Sequence, residues 1–136
     1  MTPHPWQDLR ALVEVHLHWR VLPWPLFGVT DSRSIWLHEG MSQVQRRCAL
    51  AHELAHVRAG HEAHQSAAVE ADVRAATARY LLPDLEAVAD ALVWAHTQAE
   101  AAEELWVTEA VLVDRLEGLS AREREWMAER TAPWGM

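Results

Sequence analysis

The segment His52-Glu53-Leu54-Ala55-His56 constrains the fold of this chain more than any other feature. Its H-E-x-x-H spacing, placed on a helix, turns the two histidines to the same side about one turn apart. Two imidazoles in that arrangement can bind one tetrahedral metal ion. The glutamate, about 100° further round the helix, lies beside the ion and can accept a proton from water. We therefore predict a metal-binding helix with His52 and His56 as ligands and Glu53 as general base.

The flanking residues indicate that this helix is buried. Ser42 and Gln45 form an S-x-x-Q capping box at its start, and Gly60 is a typical helix stop. Apolar side chains expected to pack on the core lie opposite the histidines, namely Leu50, Leu54 and Val57. Small residues surround the histidines and leave room for a metal ion and a second helix: Cys48, Ala49, Ala55 and Ala59. A motif that arose by chance would not need the capping box, the apolar residues opposite the histidines or the small residues around them.

The third ligand is less tightly defined than the two histidines. A catalytic zinc site needs three protein ligands and an open position. Glu70 lies on an otherwise apolar face of the next predicted helix, where a carboxylate needs a partner such as a metal ion, whereas Asp72 points about 200° away. We predict Glu70 as the third ligand. The alternative is a solvated Glu70, with His61 or His64 completing the site.

Three further side chains near the motif have alternative interpretations. His61 and His64 could orient substrate or support the ligands, but a loop position after the helix favours surface histidines. Cys48, the single cysteine, could add a thiolate ligand and make the site structural. A buried core cysteine is the favoured interpretation.

The order of the predicted elements indicates the α+β class. In residues 1–40, an opening helix at 6–14 precedes strands at 15–21, 26–30 and 34–38, which predict a small three-stranded antiparallel or mixed sheet. We expect the strand at 15–21 to bury one face and the strand at 34–38 to be an exposed edge. After Gly40 the pattern is helical, with helices beginning near residues 43, 66, 84, 98, 109 and 121. We predict one domain over 1–136: a helix and sheet (1–40), the active-site helices (41–96) and a helical tail (97–136).

Charge and hydropathy exclude several classes of protein. The net charge is −8 without a basic block, so we expect no direct nucleic-acid binding. Residues 98–117 could form a helix-turn-helix, but the tail from 97 to 136 carries nine acidic side chains against four arginines, which favours a helical pair covering the core.

No apolar run reaches the ~20 residues of a membrane span. The N-terminus lacks a secretory pattern, so we expect a cytoplasmic protein without membrane association.

Residues 46–57, RRCALAHELAHV, resemble the signature of the ImmA/IrrE-type zinc metallopeptidases of bacteria, phages and other mobile elements. Residues 28–30 and 35–37 resemble the strand pair that precedes the family's active-site helix. Glu70 and the alanine-rich run to Leu81-Leu82-Pro83 resemble the segment that supplies its third ligand. In many members two residues separate that glutamate from Ala-Asn or Ala-Asp, whereas here Ala71-Asp72 follows Glu70 directly.

The resemblance implies a zincin-like fold and a cytoplasmic endopeptidase that binds Zn²⁺. It places His52, His56 and Glu70 as ligands and Glu53 as general base. It further implies a protein substrate, a helix-turn-helix repressor of a phage, mobile element or stress regulon. We expect an extended substrate to add to the sheet at the edge formed by 34–38. The alternative is a non-catalytic metal-binding regulator that binds a repressor or other partner without cleaving it, although binding alone would not require Glu53.

Overall fold

The structure, a computed structural model, describes residues 3–61 and 65–134. A short helix, α1 (Pro5–Ala11), is followed by three strands, β1 (His16–Arg20), β2 (Gly28–Thr30) and β3 (Ser34–His38). The helices after the sheet are α2 (Gln43–Arg58), α3 (Ala67–Leu81), α4 (Leu85–Trp94), α5 (Gln98–Glu104), α6 (Glu109–Glu117) and α7 (Ala121–Thr131), and a 3₁₀ turn (Ala132–Trp134) ends this part of the chain. The predicted α+β class is confirmed.

The sheet is mixed, with strand order β1-β3-β2. β1 runs parallel to β3, and β2 runs antiparallel to it with Gly28 opposite Leu37. The prediction that residues 34–38 form an exposed edge is therefore wrong, because β3 is the central strand. Its Ile35 and Leu37 side chains are fully buried, and a strand with two such residues is protected best with a neighbour on each side.

Because β1 is an edge strand, the face that we predicted to be buried is covered only in part. Leu17 is half-buried, but Trp19 is 40% exposed and Val21, just after the strand, is 76% exposed. Trp19 is covered only in part, by stacking on Trp6 at 6.3 Å between ring centroids and by the Arg46 guanidinium at 6.0 Å from its ring. The alternating pattern identified a strand, but its apolar face is covered only at one end.

Helix α2 lies between two clusters of buried side chains. Leu50 and Leu54 join the sheet-side cluster, whose other buried members are Ile35, Leu37 and Met41. Cys48 and Ala51 join the larger cluster formed with the later helices. The predicted core packing of Leu50 and Leu54 is confirmed, and Cys48 is a buried core cysteine.

The ends of the helices follow the local capping rules. Ser42 and Gln45 form the predicted capping box at the start of α2, and Ser120 and Glu123 form another at the start of α7. The Thr108 hydroxyl accepts a hydrogen bond from the Val111 N–H at the start of α6. These side chains satisfy backbone N–H groups that have no partner within the helix.

The tail packs onto the helical body. Four residues of α5, α6 and their connection are buried in the larger cluster, namely Ala101, Ala102, Val107 and Leu112. This confirms the prediction of a helical pair that covers the core. Across the ranges described here, each helix falls short of the length or the hydropathy that crossing a lipid bilayer requires.

Candidate metal and active site

Two histidines of α2 and a glutamate of α3 converge on one point. The Nε2 atoms of His52 and His56 are 3.2 Å apart. The Glu70 Oε2 atom lies 3.3 Å from Nε2 of His52 and 3.1 Å from Nε2 of His56. Within residues 3–61 and 65–134, these three side chains form the only group of three or more His, Cys, Asp or Glu residues whose potential ligand atoms converge in this way.

The start of α3 carries Glu70 to the histidines. The Ser66 hydroxyl accepts a hydrogen bond from the Val69 N–H and begins the helix, so that Glu70 falls in its first turn. Further along α3, three residues at helical spacing from Glu70 are buried, namely Val73, Thr77 and Leu81. Glu70 thus extends the buried face of α3, which is the placement predicted from its apolar neighbours.

The other candidate ligands lie elsewhere. Asp72 is exposed and does not belong to the convergent group. His61 is half-buried, and its Nδ1 atom lies 2.9 Å from Nδ1 of His56, the ring nitrogen that does not face Glu70. The alternative that His61 is the third ligand therefore has no support in this geometry. His64 lies outside the described residues. The buried Cys48 is not part of the group either.

The site residues fit a divalent metal ion. Burial, with a smaller contribution from the nearby His56, lowers the pKa of His52, which favours the neutral imidazole that binds metals. Two imidazole nitrogens and one carboxylate oxygen, 3.1–3.3 Å apart, offer lone pairs to the same point. This donor set is one that catalytic zinc sites use, with a fourth position left for water.

Glu53 lies buried beside the three converging side chains, with 5% of its surface exposed. Burial, and to a lesser extent repulsion by the Glu70 carboxylate, raises the pKa of Glu53 to about 8. A positive charge at the convergence point would oppose this shift. A buried carboxyl group in a cleft, next to potential metal ligands, has the placement of a general base.

One cleft of about 300 Å³ lies between α2, α3 and the sheet, and it is lined by His52, Glu53, His56 and Glu70. Its opposite wall is formed by strand β2 and by Leu26, which precedes that strand. Gly28 was not predicted to be a site residue. A Cβ atom there would lie 2.9 Å from Glu53 Cγ, closer than real Cβ atoms approach other atoms. A glycine within a strand is itself a signal of close approach by another group, and it could have identified this position.

Comparison with known proteins gives one match. The family described as the IrrE N-terminal-like domain, a peptidase family, matches residues 15–117, which include the sheet, the cleft and the helices through α6. Neither the curated proteins nor the solved structures gave a match. The match spans far more than half of the 136 residues. The chain therefore belongs to the IrrE N-terminal-like family of peptidases.

Proposed function

We propose that this protein is a zinc-dependent endopeptidase. The observation that carries the proposal is the convergence of His52, His56 and Glu70 within 4.8 Å, with the buried carboxyl group of Glu53 in the same cleft. Membership of a peptidase family supports the same reaction.

Each residue has a defined role in this proposal. His52, His56 and Glu70 hold the zinc ion, which when bound polarises the scissile carbonyl and makes water more acidic. Glu53 accepts the proton of the attacking water and returns it to the leaving amine. Burial of Glu53 limits its exchange with bulk solvent, so the same carboxyl group can serve both transfers.

The free edge of β2 is the proposed binding site for an extended substrate. Phe27 and Asp31 both hydrogen-bond to residues at the ends of β3, through His38 N to Phe27 O and Asp31 N to Ser34 O. Because bonded and non-bonded pairs alternate in an antiparallel ladder, the N–H and C=O groups of Gly28 and Thr30 point away from β3. These groups can pair with a peptide backbone running beside β2, across the mouth of the cleft.

The proposed substrate is a helix-turn-helix repressor of a phage, mobile element or stress regulon, cleaved in the cytoplasm. This part of the proposal comes from the family resemblance of residues 46–57 and 70–83. A strand-addition site at β2 requires an extended segment, so a linker or terminus of the repressor is the proposed cleavage region rather than its folded helices.

The test compares wild-type protein, Glu53→Gln and the exposed control Glu39→Gln, all loaded with zinc, on a helix-turn-helix repressor chosen from the neighbouring genes. Wild type and the control should cleave it at one site. Glu53→Gln should keep its zinc while kcat falls by ~10²–10⁴-fold, as expected for loss of a general base. If zinc-loaded wild type binds the repressor and leaves it intact, the endopeptidase proposal fails and the non-catalytic regulator replaces it.

A proline at position 30 tests the β2 edge separately from the chemistry. Thr30→Pro removes an N–H group that points away from β3, so the sheet should persist while one substrate hydrogen bond is lost. We expect KM for a peptide substrate to rise by about tenfold with zinc content unchanged. Thr30→Ala keeps the N–H group and should raise KM much less. Equal KM values for the two variants would rule out pairing at this edge.

A further inference from the structure

We propose that His61 is a positioning residue that orients His56 for metal binding. The proposal rests on the metal site described above, and it assigns a role to a histidine that the proposed chemistry does not use. His61 lies three residues after the last residue of α2, and its side chain contacts His56 of that helix.

The contact between the two rings is close and sheltered. His56 Nδ1 and His61 Nδ1 are 2.9 Å apart, a hydrogen-bond distance, and the ring centroids are 5.1 Å apart. His56 is only 5% exposed, and His61 is half-buried. A buried imidazole N–H without a partner is costly, so His61 supplies the acceptor that Nδ1 of His56 needs.

The backbone conformation after α2 brings the His61 side chain next to His56. Gly60 has a φ of +77°, and a Cβ placed on it would meet nothing within 4 Å, so its left-handed conformation rather than lack of space favours glycine. The His61 N–H donates to the His56 carbonyl at 3.0 Å, and the Gly60 N–H donates to the Val57 carbonyl at 3.0 Å. This pair of hydrogen bonds is the Schellman motif, and it reverses the chain so that His61 lies beside His56.

The hydrogen bond determines which nitrogen of His56 can bind the metal. A ligand nitrogen must offer a lone pair, so a proton on Nδ1 leaves Nε2 free to face His52 and Glu70. His61 accepts that Nδ1 proton with its own Nδ1 and therefore carries its proton on Nε2. Support of this kind for a ligand histidine sets its tautomer and ring orientation, and its loss typically weakens metal binding by about 10–100-fold.

The first test measures zinc affinity by competition with a chelator, so it does not depend on peptidase activity. His61→Leu removes the acceptor, and we expect about 10–100-fold weaker zinc binding. His61→Asn places an amide oxygen near the position of Nδ1 and should recover most of the affinity. His96→Ala, at an exposed histidine that follows α4 and does not belong to the convergent group, is the control and should bind like wild type. Equal affinity of wild type and His61→Leu would overturn the role of His61 while leaving the metal site intact.

The second test observes the protons directly. In the zinc-loaded wild type, ¹⁵N NMR of the imidazoles should show His56 protonated at Nδ1 and His61 protonated at Nε2. A proton on Nδ1 of His61, or none on Nδ1 of His56, would overturn the proposal. A wild-type protein that takes up no zinc would overturn the proposed metal site itself, a result distinct from the loss of affinity in His61→Leu alone.

Discussion

A glycine of the sheet leaves space for the side chain of the proposed general base. At Gly28 a Cβ atom would lie 2.9 Å from Glu53 Cγ, 3.1 Å from Oε1 and 3.3 Å from Cδ. Glu53 is buried but lines the cleft, so its side chain can shift only toward that space. The missing side chain of Gly28 therefore leaves the space that the Glu53 side chain occupies in the cleft.

Gly28→Ala should displace the Glu53 carboxyl group without removing it. Because a shift of about 1 Å in a reacting group can cost roughly 10²-fold in rate, we expect kcat to fall by about that factor. Zinc content should change little, since the metal ligands come from α2 and α3. Steady-state kinetics and metal analysis of the same preparation check this. A variant with unchanged kcat would show that Glu53 adapts to the extra carbon.

At the level of the elements, α2 carries most of the site and joins both halves of the core. The Leu50 and Leu54 side chains pack toward the sheet, the Cys48 and Ala51 side chains toward the helical body, and the histidines face α3. Its start is fixed by reciprocal hydrogen bonds of 3.1 Å from Gln45 N to Ser42 Oγ and 2.9 Å from Ser42 N to Gln45 Oε1. Stability and metal binding thus depend on different parts of one helix.

Ser42→Ala should separate these two properties. Loss of the cap is expected to reduce the free energy of unfolding by about 1 kcal/mol. Zinc affinity should stay at the wild-type value, because the histidines lie well beyond the first turn. Urea unfolding and chelator competition measure the two effects, and Ser42→Asp, which keeps a capping oxygen, should restore most of the stability. A large loss of zinc affinity in Ser42→Ala would contradict this separation.

Across the whole molecule, Glu123 links α7 to helices α3 and α6. Its carboxylate accepts a hydrogen bond from Arg79 of α3 at 2.9 Å and lies 3.6 Å from the buried Arg115 of α6. The Arg79 hydrogen bond, followed by the backbone N–H of Ser120, lowers the pKa of Glu123 from 4.5 to about 2. One side chain at the start of α7 thus contacts two other helices.

This lowered pKa predicts how acid weakens the fold. A carboxyl group with a depressed folded-state pKa stabilises the protein above its unfolded value, and this contribution disappears as the pH falls through the folded value. The stability difference between wild type and Glu123→Gln should therefore be largest above pH 4.5 and vanish toward pH 2. Urea unfolding at several pH values checks this. Glu125→Gln, at an exposed position on the same helix, provides the control. A difference that does not depend on pH would contradict the assignment.

An exposed apolar surface adjoins the cleft. Trp24 is 85% exposed, Leu26 41% and Phe27 42%, and Leu26 also lines the cleft. Exposed apolar side chains grouped in this way commonly mark a binding surface. We expect them to contact the proposed protein substrate outside the cleft.

Trp24→Ala tests this surface with two substrates. For a protein substrate we expect KM to rise about tenfold, while KM for a short peptide that fills only the cleft stays unchanged. Thermal stability should be unaffected, because the side chain is mostly exposed. Trp94→Ala, at a 64% exposed tryptophan that does not line the cleft, is the matched control. Equal KM values for wild type and Trp24→Ala would exclude this surface from recognition.

Features that depend on neighbours within a few residues could be predicted from local patterns. The helix caps at Ser42, Thr108 and Ser120 and the spacing of His52 and His56 follow from hydrogen bonds and periodicity inside single helices. Strand β3 was predicted with its observed bounds, although the 15–21 and 26–30 strands proved shorter, because pairing rather than pattern ends a strand.

Which segments lie side by side depends on long-range packing that local patterns do not encode. Strand order depends on pairing across the chain, so the free edge beside the cleft is β2 and not the predicted β3. The close approach of Gly28 to Glu53 and the position of His61 behind His56 likewise depend on packing and chain reversal. The H-E-x-x-H periodicity brings two nitrogens together, but the packing of α3 on α2 brings the Glu70 carboxylate to within 3.3 Å of both.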